Sequence, residues 1–308
     1  MVKVSVCLPC YNNEKYVAQA IESVIAQNYD SYEFIIVDDN STDRTVEIVQ
    51  KYAKTNNKID FYQNEKNYGI VGNFNRCLSL CRGEFVKFIL ADDLLINVNS
   101  LRRFVDTLES NQNISIVSSS RKFIDSDSKV IGESNSYNDG CYSPGTKIIS
   151  DCLLYMKNKI GDPSSVIFRR SHLHQNFDKR YKQLLDLDMW FKLLEVGDFY
   201  YIEDSLVAFR HHDEQATKRN KDNFDHLDDF SIILKTYSCK NYMKLKTSIK
   251  LIGLIRSSDK AFKLYKRGYL DYDRMRNKVQ NNLPYWQFLL FRPFYKVLKN
   301  VIRLKFLR

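Results

Sequence analysis

Several features that would narrow the field at once are missing. The seven cysteines (Cys7, Cys10, Cys77, Cys81, Cys141, Cys152 and Cys239) are odd in number and scattered, so they give no disulfide framework of a small secreted domain. Proline and glycine are sparse, 5 and 10 in 308 residues, which excludes collagen-like and low-complexity chains. No uncharged apolar run approaches the roughly 20 residues that a membrane-spanning helix requires. The chain opens MVKVSVCLPCYNN, directly in a strand pattern, with no basic and then apolar leader. With the cysteine pattern, this sets the expectation of a reducing, cytoplasmic location. Absent too is a glycine-rich, basic phosphate loop after the first strand, where CLPCYNNEKY stands instead.

What is present supports a folded chain of one large domain and an appendage. Hydrophobic residues make up 44%, and 20 Tyr and 19 Phe contribute to an aromatic content of 13%. The net charge of +10 points to an anionic partner: nucleic acid, a phosphorylated substrate or a membrane surface. Cys7-x-x-Cys10 and Cys77-x-x-x-Cys81 have spacings found in zinc and redox sites. Cys7, however, lies in a strand pattern, and Cys77 and Cys81 are one helical turn apart, so packing accounts for them.

Strand and helix signals alternate. Val2 to Leu8 alternates as a strand and stops at Pro9. Glu14 to Gln27 has helical spacing, and FIIV (Phe34 to Val37) is a short buried-strand run ending in DDNSTD. Ser41 or Thr42 caps the next helix, with Asp43 in its first turn. A third strand covers Ile59 to Tyr62, a helix Asn73 to Cys81, a fourth strand Phe85 to Leu90, a helix Val98 to Glu109, and a fifth strand Ile114 to Val117. The order predicts an α/β fold with a mostly parallel, doubly wound sheet and helices on both faces. Ligands of such sheets bind beyond the carboxyl ends of the strands. Three polar clusters fall at those ends: Pro9 to Asn12, Asp38-Asp39 and Asp92-Asp93.

Two adjacent carboxylates after the apolar run FILA suit a hard divalent cation that also holds a diphosphate. An isolated Asp-Asp is more often a solvated loop, but this pair belongs to a series of polar strand ends. Asp38 and Asp39 serve either as turn and cap residues or as acceptors for a base imide or ribose hydroxyl. Gly69-x-x-Gly72, at a helix entrance, would let backbone N–H groups approach phosphate.

These stretches resemble family-2 glycosyltransferases of the GT-A fold, over about residues 2 to 217. VSVCLPCYNNEKYVAQAIESVIAQNY resembles the family's P-x-Y-N-x-E start, EFIIVDDNSTDRT its V-D-D-x-S-x-D element, and NYGIVGNFNRCLSLCRGEFVKFILADD the run into its aspartate motif. The resemblance implies an inverting, nucleotide-binding enzyme. It implies that Pro9, Tyr11, Asn12 and Glu14 line a nucleotide pocket with Asn75, that Asp38 or Asp39 reads base or ribose, and that Asp92 and Asp93 hold Mn²⁺ or Mg²⁺ and the sugar diphosphate. Leu90 replaces the first aspartate of the common D-A-D-D pattern, and Phe74 stands where many members have arginine. LLDLDMWFKLLEVG resembles the E-D-x-D-x-W segment with Leu185 in place of its glutamate, which makes Asp186 the implied general base. FRHHDEQAT resembles Y-R-x-H-x-x-Q-x-S, placing His212 as a metal or diphosphate contact and His211 as its solvated neighbour.

From about Lys218 the chain becomes Lys-rich and helical in pattern, giving a division into a domain of 1–217 and a basic helical region of 218–308. From Arg274 onward there are nine Lys or Arg and no Asp or Glu. Phe294, Val297, Leu298, Val301 and Leu304 share one helical face, and Lys296, Lys299 and Arg303 another. With Trp286, Phe288 and Phe291, this pattern fits either packing on the core or a surface anchor on anionic lipid.

The combined expectation is a metal-dependent inverting transferase. It takes a nucleotide-diphosphate sugar, UDP-linked by preference, and a glycan or lipid-linked acceptor. It acts in bacterial surface-polysaccharide or lipooligosaccharide synthesis, at the inner face of the membrane. The rivals are a sugar nucleotidyltransferase, which lacks its phosphate loop here, and an inactive domain that docks at membranes. Nucleic-acid binding ranks last, since the charge gathers in the tail without a recognised nucleic-acid motif.

Overall fold

Burial on both faces makes the first three apolar runs parallel neighbours. The computed structural model describes residues 2–135, 137, 140–213, 224–243 and 246–305, and their side chains except at 246–250, 252 and 296–305. Strands β1 (Val4–Cys10), β2 (Tyr32–Asp38) and β3 (Ile59–Gln63) pair in parallel, with Val6 opposite Phe34 and Phe34 opposite Ile59. On the other side of β1 lies β4 (Phe85–Phe88), also parallel. The sheet continues with β5 (Leu94–Leu95), β6 (Ile114–Ile124), β7 (Val130–Ser134), β8 (Cys141–Ser143), β9 (Val166–Arg169) and β10 (Asp198–Arg210). The spatial order is β3-β2-β1-β4-β9-β6-β10-β5, with β7 on β6 and β8 on β10.

Alternation along β1 divides the helices between two faces. Val4, Val6 and Leu8 pack with Val17, Ala20, Ile21 and Val24 of α1 (Val17–Ile25) and with Leu101, Phe104, Val105 and Leu108 of α4 (Ser100–Glu109). Cys7 faces the other way, 3.4 Å from Cys81 Sγ, beyond the end of α3 (Gly69–Leu80). Burial pushes the thiols of Cys7 and Cys77 up, so these are packed, protonated groups. The remaining helices of this part are α2 (Thr45–Thr55), α5 (Gly145–Tyr155) and α6 (Leu185–Leu194).

Several sequence expectations shift: β6 runs on to Ile124 and β4 ends at Phe88. β1 runs through Pro9 to Cys10 instead of stopping at Pro9. Odd residues of β1 point their backbone toward β4, as the bonds to Lys3 O and Cys7 O show, and pairing with β4 ends at Cys7 opposite Phe88. Pro9 therefore has no ladder bond to lose. α3 starts four residues earlier than expected, because Gly69 supplies a positive φ of 74° at its first position.

The chain forms two compact units. One holds residues 1–149, 158–179 and 185–215, the other 150–157, 180–184 and 216–308. A single cut at 217/218, which itself lies outside the described residues, thus omits two short earlier segments of the second unit. That unit contains α7 (Asp225–Tyr237), α8 (Lys246–Lys266), α9 (Tyr272–Gln280) and α10 (Tyr285–Lys305). Its core is Leu227, Ala261, Leu270, Met275, Val279 and Phe288. Among the described residues no helix is long and apolar enough to cross a membrane.

Gly83, between α3 and β4, donates its N–H to Ser5 Oγ at 2.8 Å, and an added Cβ would lie 2.5 Å from Ser5 N. Neither backbone can give way, so Gly83→Ala is expected to destabilise the fold by about 1–3 kcal/mol. Urea unfolding measures this, and an unchanged midpoint would refute the close approach.

Candidate active site

Strand direction decides what meets at the carboxyl edge. β1, β2 and β4 end there, bringing Cys10, Asp38 and the turn Ala91-Asp92. β9 is antiparallel to β4 and to β6, so it begins at that edge and brings the turn Gly161-Asp162-Pro163-Ser164-Ser165. β10 is parallel to β6 and ends there with Arg210-His211-His212.

The first two loops are stitched together by side chains expected to line a nucleotide pocket. Asn12, at a φ of 53° that asparagine tolerates, donates its N–H to Ser41 Oγ and accepts from Thr42 N, both at 2.9 Å. Glu14 Oε2 accepts from Arg44 N at 3.0 Å, and the Glu14 N–H goes to Asp43 Oδ2 at 3.0 Å. Asp43, not Ser41 or Thr42, receives the Thr45 N–H at the start of α2, at 2.9 Å. Pro9 is buried within β1, while Tyr11 stands 43% exposed above these loops.

Asp38 and Asp39 separate in role. Asp38 is buried and closes its own turn, accepting from Ser41 N at 2.9 Å and from the Ser41 hydroxyl. Asp39 Oδ1 accepts from Asn64 Nδ2 at 2.9 Å and from Tyr68 N at 2.8 Å. Among the described residues nothing bonds its Oδ2. Gly69 N–H is taken by Asn67 Oδ1 at 2.9 Å, so this glycine serves the helix start. Asn75 is held on both sides by the backbone of Phe177, at 3.0 and 2.9 Å. Asn73 is the α3 amide that faces the strand ends, donating to Val37 O at 3.1 Å. Phe74, at the arginine position, is a core ring stacked on Phe88 with centroids 4.8 Å apart.

The pair Asp92-Asp93 splits as well, Asp93 lying inside the fold and Asp92 partly exposed. Asp93 is fully buried, accepting from Arg210 N at 3.0 Å and Ser164 Oγ at 2.5 Å. Burial, then the charges of Asp92 and Asp162, pushes its carboxyl well up. The sequence sets the expectation that Asp93 holds the cation with Asp92, and here both of its oxygens accept hydrogen bonds inside the fold. Asp92 is the open member, and its Oδ2 lies 3.0 Å from His212 Nε2. His212 in turn packs on Tyr16, with ring centroids 4.9 Å apart. His211 is exposed and stands against the rings of Phe123 and Phe209.

One carboxylate and one imidazole fit a Mn²⁺ or Mg²⁺ that shares its shell with a diphosphate, since such ions commonly take few protein ligands. They do not make a self-sufficient metal centre. Among the described residues no group of three or more His, Cys, Asp or Glu could hold a metal.

Asp186, in the first turn of α6, accepts from Leu187 N at 2.8 Å and from Asn158 Nδ2 at 3.2 Å. Burial pushes its carboxyl from 3.8 up to about 7, the Leu187 N–H opposes this, and the charge of Asp162 adds to it. Asp188 is directed elsewhere, pairing with Lys192 at 2.7 Å. Trp190 is buried and donates Nε1–H to Gly161 O at 3.0 Å, which fixes the turn that carries Asp162. Leu185, at the glutamate position, is buried.

Sequence reasoning missed Asp162, Arg121, Asn158 and Ser164. Asp162 pairs with Arg121 and caps the turn by accepting from Ser165 N at 3.0 Å. Its charge reaches both Asp93 and Asp186, so these groups share one electrostatic field. The available signal was the turn signature GDPSS before the apolar VIF.

A mixed sheet, parallel from β3 through β4, with this acidic edge and helices on both faces is a GT-A-type fold. Residues 5–177 match the family model Glycosyl transferase family 2, and the chain belongs to that family. It is 30% identical over 199 residues to chondroitin synthase of Escherichia coli, covering 65% of this chain and 27% of the synthase. An uncharacterized glycosyltransferase of Rickettsia typhi is 28% identical over 225 residues, covering 70% of this chain and 65% of that protein. The chain thus spans about a quarter of the first relative and just under two thirds of the second. In fold it is similar to Staphylococcus aureus TarS 1-349 in complex with UDP-GlcNAc (TM-score 0.63, 19% identity, 91% of each chain). Similar too is the mannosyltransferase PcManGT of Pyrobaculum calidifontis in complex with GDP-Man and Mn²⁺ (TM-score 0.57, 14% identity, 94% of this chain and 86% of that one).

A raised folded-state pKa means that Asp186 binds its proton more tightly in the folded than in the unfolded chain. Its contribution to stability is complete below 3.8 and is lost as pH rises from there to about 7. Asp186→Asn carries no such loss. Relative to wild type it should gain stability as pH rises through that window and level off above it, measured by urea unfolding at a series of pH values. A difference independent of pH would mean that the carboxyl is not raised.

Proposed function

We propose that this protein is a metal-dependent, inverting glycosyltransferase that moves a sugar from a nucleotide-diphosphate sugar to a hydroxyl of a glycan or lipid-linked acceptor. The observation that carries the reading is the shared edge. The open Asp92–His212 pair and a carboxyl poised near pH 7 lie within reach of one buried acidic field. Inversion needs one base beside the acceptor hydroxyl and charge stabilisation at the leaving diphosphate, and these two groups match the two needs.

In this reading Asp39 Oδ2 takes a base imide N–H or a ribose hydroxyl, and Tyr11 covers the nucleotide. Asp92 and His212 would hold Mn²⁺ or Mg²⁺, which would supply positive charge to the departing diphosphate. Asp186, ionised at and above about pH 7, takes the acceptor proton as its oxygen attacks the anomeric carbon. Asn158 and Leu187 N–H orient that carboxylate. Asp93 holds the Arg210 backbone and Ser164, and so positions Asp92 and His212 without touching substrate. A UDP-linked donor is favoured by analogy with TarS, whose complex contains UDP-GlcNAc, although the PcManGT complex contains GDP-Man. Bacterial surface-polysaccharide or lipooligosaccharide synthesis, at the inner face of the membrane, is the setting such a transferase suits.

Nucleotide release from UDP-, GDP-, dTDP- and CMP-sugars, with Mn²⁺ or EDTA, tests the reading. Slow hydrolysis of one donor is expected, lost with EDTA and with Asp92→Ala. With an acceptor glycan present, Asp186→Asn should lower turnover by about 10²–10⁴-fold, leaving nucleotide binding intact. If no nucleotide shifts the melting curve with Mn²⁺ present, the transferase reading fails and an inactive docking domain replaces it.

A further inference from the structure

Helix α10 turns an apolar side to solvent. Helical geometry puts Trp286, Leu289, Leu290, Pro293 and Phe294 on one face, at spacings of three and four. Trp286 is 64%, Leu290 54% and Phe294 67% exposed. The opposite face is the packed one. Phe288 and Tyr295 are buried, and Arg292 pairs with Asp259 at 2.8 Å while its guanidinium lies 3.9 Å from the Phe262 ring centre. Phe288 belongs to the core of this unit, so it is not among the residues offered outward. A roll of the helix that hid Trp286 would pull Phe288 from that core and break the Arg292–Asp259 pair. The exposure is therefore held by the packing beneath it. Single exposed leucines are ordinary, but a contiguous stripe with tryptophan and phenylalanine is not.

Charge selects the occupant. Residues 218–308 hold 22 of the 47 Lys and Arg but only 7 of the 37 Asp and Glu, and the rest of the chain is net acidic. An anionic lipid surface answers both features together. Its headgroup boundary accepts tryptophan and the apolar stripe, and its charge attracts the basic segment. Among the described residues no helix is long and apolar enough to cross a membrane.

We propose that the outward face of α10 docks this protein on an anionic lipid surface through Trp286, Leu290 and Phe294. The proposal stands apart from the transferase reading, because these residues take no part in the candidate active site. Co-sedimentation of the full chain with phosphatidylcholine vesicles, with and without phosphatidylglycerol, tests it. Binding is expected only with phosphatidylglycerol and should weaken as salt is raised. The double variant Leu290→Glu/Phe294→Glu should reduce binding by about tenfold or more, with donor hydrolysis and far-ultraviolet circular dichroism unchanged. Should that variant misfold, Trp286→Ala/Phe294→Ala provides the same comparison with a smaller loss. Wild type remaining in the supernatant, or folded variants sedimenting like wild type, overturns the proposal. So does a wild-type dimer that the glutamate variant converts to monomer without any vesicle binding, which would assign the stripe to a second copy of the chain.

Discussion

The Arg210 guanidinium is fully buried, and much of the site geometry depends on how it is satisfied. Its Nε donates to Asp92 O at 2.9 Å, its Nη1 to Asp125 O at 3.1 Å and Ser128 Oγ at 2.9 Å, and its Nη2 to Gln19 Oε1 at 2.7 Å. It also lies 4.5 Å from the Tyr16 ring centre. A buried cation without such partners is costly, so the end of β10, the turn after β4, the β6–β7 turn and α1 are obliged to meet. Tyr16, which covers one face of the arginine, also packs on His212. Arg210 thus ties these segments together and, through Asp92 O and Tyr16, supports the Asp92–His212 pair.

Lys87 repeats this device one layer down. Fully buried in β4, it donates to Phe88 O at 3.0 Å, to Val166 O at 3.3 Å and to Ser164 O. Burial lowers its ammonium to about 7, against the pull of Asp162 and Asp93. It anchors the turn whose Ser164 hydroxyl bonds Asp93. Arg121, paired with Asp162, is the cation whose charge acts on Asp186 against burial. The result is differentiation: Asp93 is closed, Asp92 is open, and Asp186 sits near neutrality. One field gives three carboxylates three different properties through burial and partners.

The second unit follows another logic. Its core is small and mostly aliphatic, flanked by the partly buried rings of Phe224, Phe262, Tyr265 and Tyr285, and Arg292 is drawn inward by Asp259 and Phe262. With that cation turned in, the opposite side of α10 is left apolar. An ordinary surface helix reverses this arrangement. The orientation follows from the burial of Phe288 and Tyr295 together with the Arg292–Asp259 pair.

Periodicity and composition alone determined much of this protein. Apolar runs and turn residues marked β1 to β4, β6 and the helices between them, because buried parallel strands and amphipathic helices leave local signatures. The polar strand ends at Pro9 to Asn12, Asp38-Asp39 and Asp92-Asp93 were legible for the same reason, as was the basic tail. Tertiary structure decided which member of each pair has both oxygens taken inside the fold, Asp38 and Asp93, because only packing supplies those partners. It also decided the reversed strand β9, whose short run VIF carries no sign of direction and yet delivers Asp162 and Ser164 to the site. Local sequence records which residues can be buried. What they are buried against, and therefore what charge they carry, depends on contacts between residues as far apart as Asp93 and Arg210.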